Sequence, residues 1–203
     1  MIFMINTTRL RCWIGWLGML LPWIIVALIQ YFPASISITW YTNACTPFMI
    51  ILGAAGILLM CYNGYDFVDD ILNTCAGVCA MGVCLFPCWG PGYLATDPVG
   101  TFMIPTNISD KIHFGCAVAF FAILAYNSFF QFTKSSGDIT RNKKIRNIIY
   151  RICGIGMVLS FGMLLLPHFS IRIWLMETIA LFFFGVSWLT KANYYPWLFA
   201  DKK

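Results

Sequence analysis

The sequence predicts an all-α membrane protein: six transmembrane helices in one domain, residues 1–203, with both termini on the cytoplasmic side. Three observations carry that prediction. Hydrophobic residues fill 60% of the 203 positions and charged residues only 10%, against about 25% charge in an ordinary soluble domain. Apolar runs recur at close to the roughly 20 residues that a helix needs to cross a bilayer core of about 30 Å. The basic residues gather at alternate span ends. So little charge cannot cover a soluble globule of this length. Disorder is excluded too, since it needs low hydrophobicity and high charge.

The first span is read from Trp13 to Phe32. It is too long for the apolar stretch of a signal peptide, and no clean small-x-small cleavage site follows it. Pro22 lies inside it, and the carbonyl that Pro22 frees must be satisfied by neighbouring helices. The second span, Phe48 to Tyr62, is short. The third runs from Ile71 to Trp89 and the fourth from Ile112 to Phe132. The fifth, Ile148 to Leu166, and the sixth, Ile173 to Leu189, complete the set. Small residues at Gly53–Gly56 and at Ala76, Gly77, Ala80 and Gly82 suit close helix approach. The connection from Gly90 to Ser109 is rich in Pro and Gly and reads as a structured cap over the outer mouth.

Orientation follows from the cations. Arg9 and Arg11 precede the first span. Lys134, Arg141, Lys143, Lys144, Arg146 and Arg151 lie between the fourth and fifth. Lys191, Lys202 and Lys203 follow the sixth, and only Lys111 and Arg172 fall elsewhere. An even number of spans puts the large majority of the cations on one side. A bacterial inner membrane with cytoplasmic termini fits this bias. The net charge of +5 is thus a topology signal and does not point to nucleic acid. Arg141, Lys143, Lys144, Arg146 and Arg151 face anionic inner-leaflet lipid in this reading, at about 1 kcal/mol each.

An ionisable group inside a span costs about 2.5–3.5 kcal/mol to insert and marks a candidate site. Glu177 lies about five residues into the sixth span, roughly 7 Å below its outer end. His113 sits just inside the outer end of the fourth, with Asp110 three residues earlier on the same face. His168 closes the fifth span on the same side. These four residues can form a polar outer-leaflet pocket that holds a lipid or small amphiphile without catalysis. The same Asp110, His113, His168 and Glu177 can also be read as a divalent metal set, zinc above all, that activates water against a lipid ester or amide. Plain hydrogen-bonded pairing with Lys111 and Arg172 is the structural reading. Asn127 returns to within about 40° of the His113 face, and Gln131 lies one turn on. This stripe suits a transporter or small channel, or else interhelical hydrogen bonding by Asn127 with Gln131 at the interface. A second copy of the chain, or a larger membrane complex, is the other partner that a membrane bundle of this size admits.

Asp66, Asp69 and Asp70 stand in the inner loop before the third span, where Asp69 or Asp70 can cap it. The nine cysteines lie mostly in apolar runs, where a thiol behaves as a small hydrophobe. No C-x-x-C occurs, which argues against a disulfide oxidoreductase. Cys45 and Cys88 both fall on the outer side and could pair. Asn107-Ile108-Ser109 is a glycosylation sequon, meaningful only in a eukaryotic secretory host. No P-loop, G-x-G-x-x-G, G-x-S-x-G or H-E-x-x-H appears.

Several short stretches occur in a definite order. They are Ser35-Ile36-Ser37 with Trp40-Tyr41-Thr42, then Tyr62-Asn63-Gly64-Tyr65-Asp66, Leu85-Phe86-Pro87 and Asp110-Lys111-Ile112-His113-Phe114. Glu177 and Phe184-Gly185-Val186-Ser187-Trp188-Leu189 follow. The set resembles a group of bacterial six-span proteins of unknown function. That group is in turn distantly similar to the eukaryotic GPI-anchor lipid-remodelling cofactors and autophagy modulators. The resemblance spans about residues 9 to 192. It implies a six-helix fold with a polar site beneath the outer face, and no particular chemistry. Where the family tends to place a basic residue after its Tyr-Thr pair, this chain has Ala44-Cys45-Thr46.

Overall fold

The computed structural model describes residues 6–135, 137, 139–163 and 173–194. The helices are α1 (Thr7–Ile29), α2 (Cys45–Met60), α3 (Phe67–Leu85), α4 (Thr106–Tyr126), α5 (Arg141–Met163) and α6 (Ile173–Lys191). A 3-10 turn, Ser37–Tyr41, precedes α2, and a π-helical turn, Asn127–Gln131, continues α4. A small antiparallel ribbon of β1 (Pro98–Val99) and β2 (Ile104–Pro105) lies in the connection between α3 and α4. Each helix packs on its neighbour in chain order, and α6 closes on α1, so the bundle is a ring.

Five of the helices are long and apolar enough to cross a membrane: α1, α3, α4 with its π turn, α5 and α6. The sixth, α2, has 16 residues, or about 24 Å at 1.5 Å per residue. That is shorter than a hydrocarbon core of about 30 Å. The all-α expectation therefore holds, with five membrane-compatible helices and one shorter apolar helix among the described residues.

Most helices begin earlier than hydropathy predicts. Asn6 starts α1 six residues before Trp13, because its carboxamide oxygen accepts from the Thr8 and Arg9 N–H groups at 3.1 and 3.2 Å. Asp66, rather than Asp69 or Asp70, caps α3 by accepting from the Asp69 N–H at 2.9 Å. The fifth helix starts at Arg141, so the basic segment is helix and not loop. Hydropathy marks where a chain becomes apolar, while backbone hydrogen bonding begins at the cap. In the other direction, α1 stops at Ile29 because Gln30 turns left-handed at φ 63°.

Small residues bring the helices together. A Cβ on Gly77 would lie 2.5 Å from the Gly56 carbonyl oxygen, and one on Gly185 would lie 2.8 Å from that of Gly15. Gly18, whose carbonyl Pro22 leaves without a helical donor, packs against the Phe184 ring. At the basic end of the ring, Trp188 joins Tyr62 and Phe132 edge to face, with centroids 5.0 and 5.2 Å away.

Candidate functional site

The site is built on a short non-helical stretch. After α3 the chain turns extended at Phe86 and stays non-helical to Trp89, so the carbonyls of Phe86, Pro87 and Cys88 and the Trp89 N–H lie outside any helix. Side chains supply them. The Ser109 hydroxyl donates to the Pro87 carbonyl at 2.8 Å and the Tyr41 hydroxyl to the Cys88 carbonyl at 2.7 Å. Asp110 accepts from the Trp89 N–H at 2.8 Å. His113 Nδ1 bonds the Phe86 carbonyl at 2.7 Å. Burial, with Cys88, Tyr93 and Asp110 nearby, pushes the Tyr41 phenol up to about 12, so it stays a donor.

The His113 contact decides its tautomer. A carbonyl can only accept, so Nδ1 carries the proton. In the neutral ring Nε2 is then an acceptor, and it lies 2.9 Å from Ser37 Oγ. The Ser37 hydroxyl therefore donates to His113. On the opposite side, Glu177 Oε2 accepts from the Ile36 N–H at 2.5 Å. A 2.9 Å bond from the Trp174 N–H to the Ala34 carbonyl ties the start of α6 to the same turn.

These groups line one cavity of about 260 Å³ at the end of the ring that bears the β1–β2 connection. Ser35, Ser37, Asp110, His113 and Glu177 supply its polar wall. One helical turn deeper the wall is apolar: Ala117 lies four residues after His113, Leu181 four after Glu177, and Leu52 four after Phe48. Phe120, Phe121 and Phe161 complete the apolar part. Cys88 also faces the cavity. Burial and the nearby Glu177 and Asp110 carboxylates push its thiol up to about 12, so it remains an un-ionised thiol.

Asp110, His113 and Glu177 thus converge as the sequence predicts. His168 and Arg172 lie outside the described residues. Among the described residues no group of three or more His, Cys, Asp or Glu side chains is arranged to hold a metal ion. Both His113 nitrogens and one Asp110 oxygen are already engaged. Asn127 is not part of this cavity. It donates to Asn73 at 3.1 Å, and Asn73 donates to Asp69 Oδ1 at 2.8 Å, forming a buried polar chain in the other half of the bundle. Gln131 is buried at 1% exposure rather than interfacial. The reason is the π turn, which rotates Asn127, Ser128 and Gln131 inward.

Cys45 and Cys88 are free thiols, as are all nine cysteines. Cys45 Sγ stands 3.7 Å from Met49 Sδ. Of the predicted lipid-facing cations, Arg141, Lys144 and Arg151 are exposed, and Arg146 is half-buried. Lys143 turns inward and donates to the Phe132 carbonyl at 3.0 Å.

Ser37 and Asp69 were not singled out for these roles from sequence. Ser37 stood in the Ser-Ile-Ser motif, but a serine in a short inter-span segment carries no charge or period to mark it. Asp69 reads from the sequence as a cap of the third span, a role that does not require burial, yet it is fully buried. It accepts from the Tyr65 N–H at 2.8 Å. No protein-family model, curated protein or solved structure matches the chain.

Proposed function

We propose that the chain is a six-span integral membrane protein, with its termini cytoplasmic, that holds a lipid or small amphiphile in this cavity. The observation that carries the reading is the change of wall within one cavity. Ser37, Asp110, His113 and Glu177 offer donors and acceptors to a headgroup, while Leu52, Ala117, Phe121 and Leu181 one or two turns deeper offer surface to an acyl chain. Pockets that hold amphiphiles combine a mostly apolar wall with a few placed polar groups. The bias of the basic residues supports six spans, with α2 as a short sixth, and the β1–β2 connection on the outer side. The family resemblance points the same way.

The test is retention of phospholipid. The protein is reconstituted in nanodiscs of phosphatidylethanolamine and phosphatidylglycerol, extracted into detergent, and analysed for bound lipid by mass spectrometry. Wild type is expected to retain phospholipid. Ala117→Trp, which puts an indole into the cavity, is expected to reduce retention at least tenfold. Equal retention by the two proteins, or none by wild type, overturns the reading.

A further inference from the structure

We propose that Ser37 and His113 form a nucleophile–base pair that performs acyl transfer on a carboxylic ester held in the cavity. The inference rests on the amphiphile-binding reading of the same cavity and adds a chemistry to it. A serine hydroxyl is a weak nucleophile unless a base takes its proton, and the structural signature is a hydroxyl and a base within about 2.6–3.2 Å, with the base oriented by a third group. All three parts are present. The Ser37 Oγ to His113 Nε2 distance is 2.9 Å, and the Phe86 carbonyl holds Nδ1 at 2.7 Å. This carbonyl does what the carboxylate of a Ser-His-Asp triad does: it fixes the tautomer and ring orientation so that Nε2 faces the hydroxyl. The Phe86 carbonyl is itself held in place, because the next three residues are pinned by Ser109, Tyr41 and Asp110.

Glu177 acts here as a positioning residue. Its Oε2 grips the Ile36 N–H, the peptide immediately before Ser37. The pair also faces space: Ser37 and His113 both line the cavity. A purely structural serine–histidine bond tying the 3-10 turn to α4 has no need of such an opening. Cys88, the other nucleophile type on the wall, is held as an un-ionised thiol by burial and by the Glu177 and Asp110 carboxylates beside it.

The step balances with an ester and water alone. Ser37 Oγ bonds to the ester carbonyl carbon as its proton passes to His113 Nε2. The carbon–oxygen bond to the leaving alcohol then breaks, and the alcohol takes the proton from Nε2. Water, or the hydroxyl of a second amphiphile, attacks the Ser37 ester in the same manner and releases the acyl group, returning the proton to Ser37.

A long-chain alkyl fluorophosphonate tests the pair, because it labels only an activated serine. Full-length wild type in detergent micelles is expected to gain one adduct, mapped to Ser37 by peptide mass spectrometry. Ser37→Ala is expected to gain none, and His113→Gln to react at least about 100-fold more slowly, the usual contribution of a positioned base. Absence of an adduct on monodisperse wild type overturns the proposal, as does an adduct that persists in Ser37→Ala. Because the first readout is on wild type, misfolding of a variant cannot hide the answer. Wild type that retains phospholipid but takes no adduct defeats the acyl-transfer step and leaves the binding reading standing. Wild type that takes the adduct but retains no phospholipid supports the pair and defeats lipid retention.

Discussion

A single hydrogen bond gives His113 its character. The Phe86 carbonyl holds the proton on Nδ1 and leaves Nε2 free to accept from Ser37. Asp69 shows the same economy in the other half of the ring. One of its oxygens accepts from the Tyr65 N–H and the other from Asn73, and both Asp69 and Asn73 are fully buried. Removing one partner strands the other away from water, at about 1–3 kcal/mol. Asp69→Ala and Asn73→Ala are each expected to lower stability by about that much. The double variant is expected to lose less than the sum, because both belong to one network; thermal unfolding in detergent micelles reads all three. Asp66 is the surface counterpart. The Lys134 ammonium 2.5 Å away and the Asp69 N–H hold its carboxyl below the usual carboxylate range. A depressed carboxyl contributes stability at pH values above its unfolded pKa near 3.9 and loses that contribution as pH falls through the folded value. The unfolding midpoint should therefore drop as pH falls below about 4, and Asp66→Asn should flatten that dependence. An unchanged pH profile in Asp66→Asn would remove the pair from the account.

At the scale of elements, helix contacts are set by where no side chain stands. Gly56 meets Gly77 between α2 and α3, and Gly15 meets Gly185 between α1 and α6. An added methyl at Gly77 or Gly185 would press on backbone oxygen, which cannot rotate away as a side-chain tip can. Gly77→Ala and Gly185→Ala are expected to cost about 1–3 kcal/mol. Gly162→Ala, with open space at its Cβ position, should be neutral to mildly stabilising. Comparing the three midpoints checks this; a loss at Gly162 equal to the others would refer the effect to something other than contact. The glycine and alanine clusters were legible in the sequence as close-approach sites. Their partners were not, since residue type does not say which helix lies opposite. Helix starts were misread for a related reason. The caps Asn6 and Asp66 lie in polar sequence outside the apolar runs, where a hydropathy scan has no signal.

For the whole molecule, the ring closes α6 on α1 and leaves a cavity at the end opposite the basic cluster. With the proposed orientation, an epitope inserted after Pro91, in the α3–α4 connection, is expected to bind antibody without permeabilisation of the membrane that holds the protein. One inserted after Gly137 is expected to need permeabilised cells. The opposite pattern would invert the orientation. By itself the sequence determined that the protein is helical with apolar segments fit to cross a membrane, roughly where those segments run, and that Asp110, His113 and Glu177 approach the same end. These follow from composition and period, which are local and additive along the chain. Only the tertiary structure decided that Ser37 meets His113, that the Phe86 carbonyl sets the histidine tautomer, that Asn127 reaches Asn73 and through it Asp69, and that Gln131 is buried. Those outcomes depend on hydrogen-bond distances between positions as far apart as Ser37 and His113, at 2.9 Å, or Ile36 and Glu177, at 2.5 Å. Such distances arise from how six helices rotate and pack, a property that no segment of the sequence carries alone.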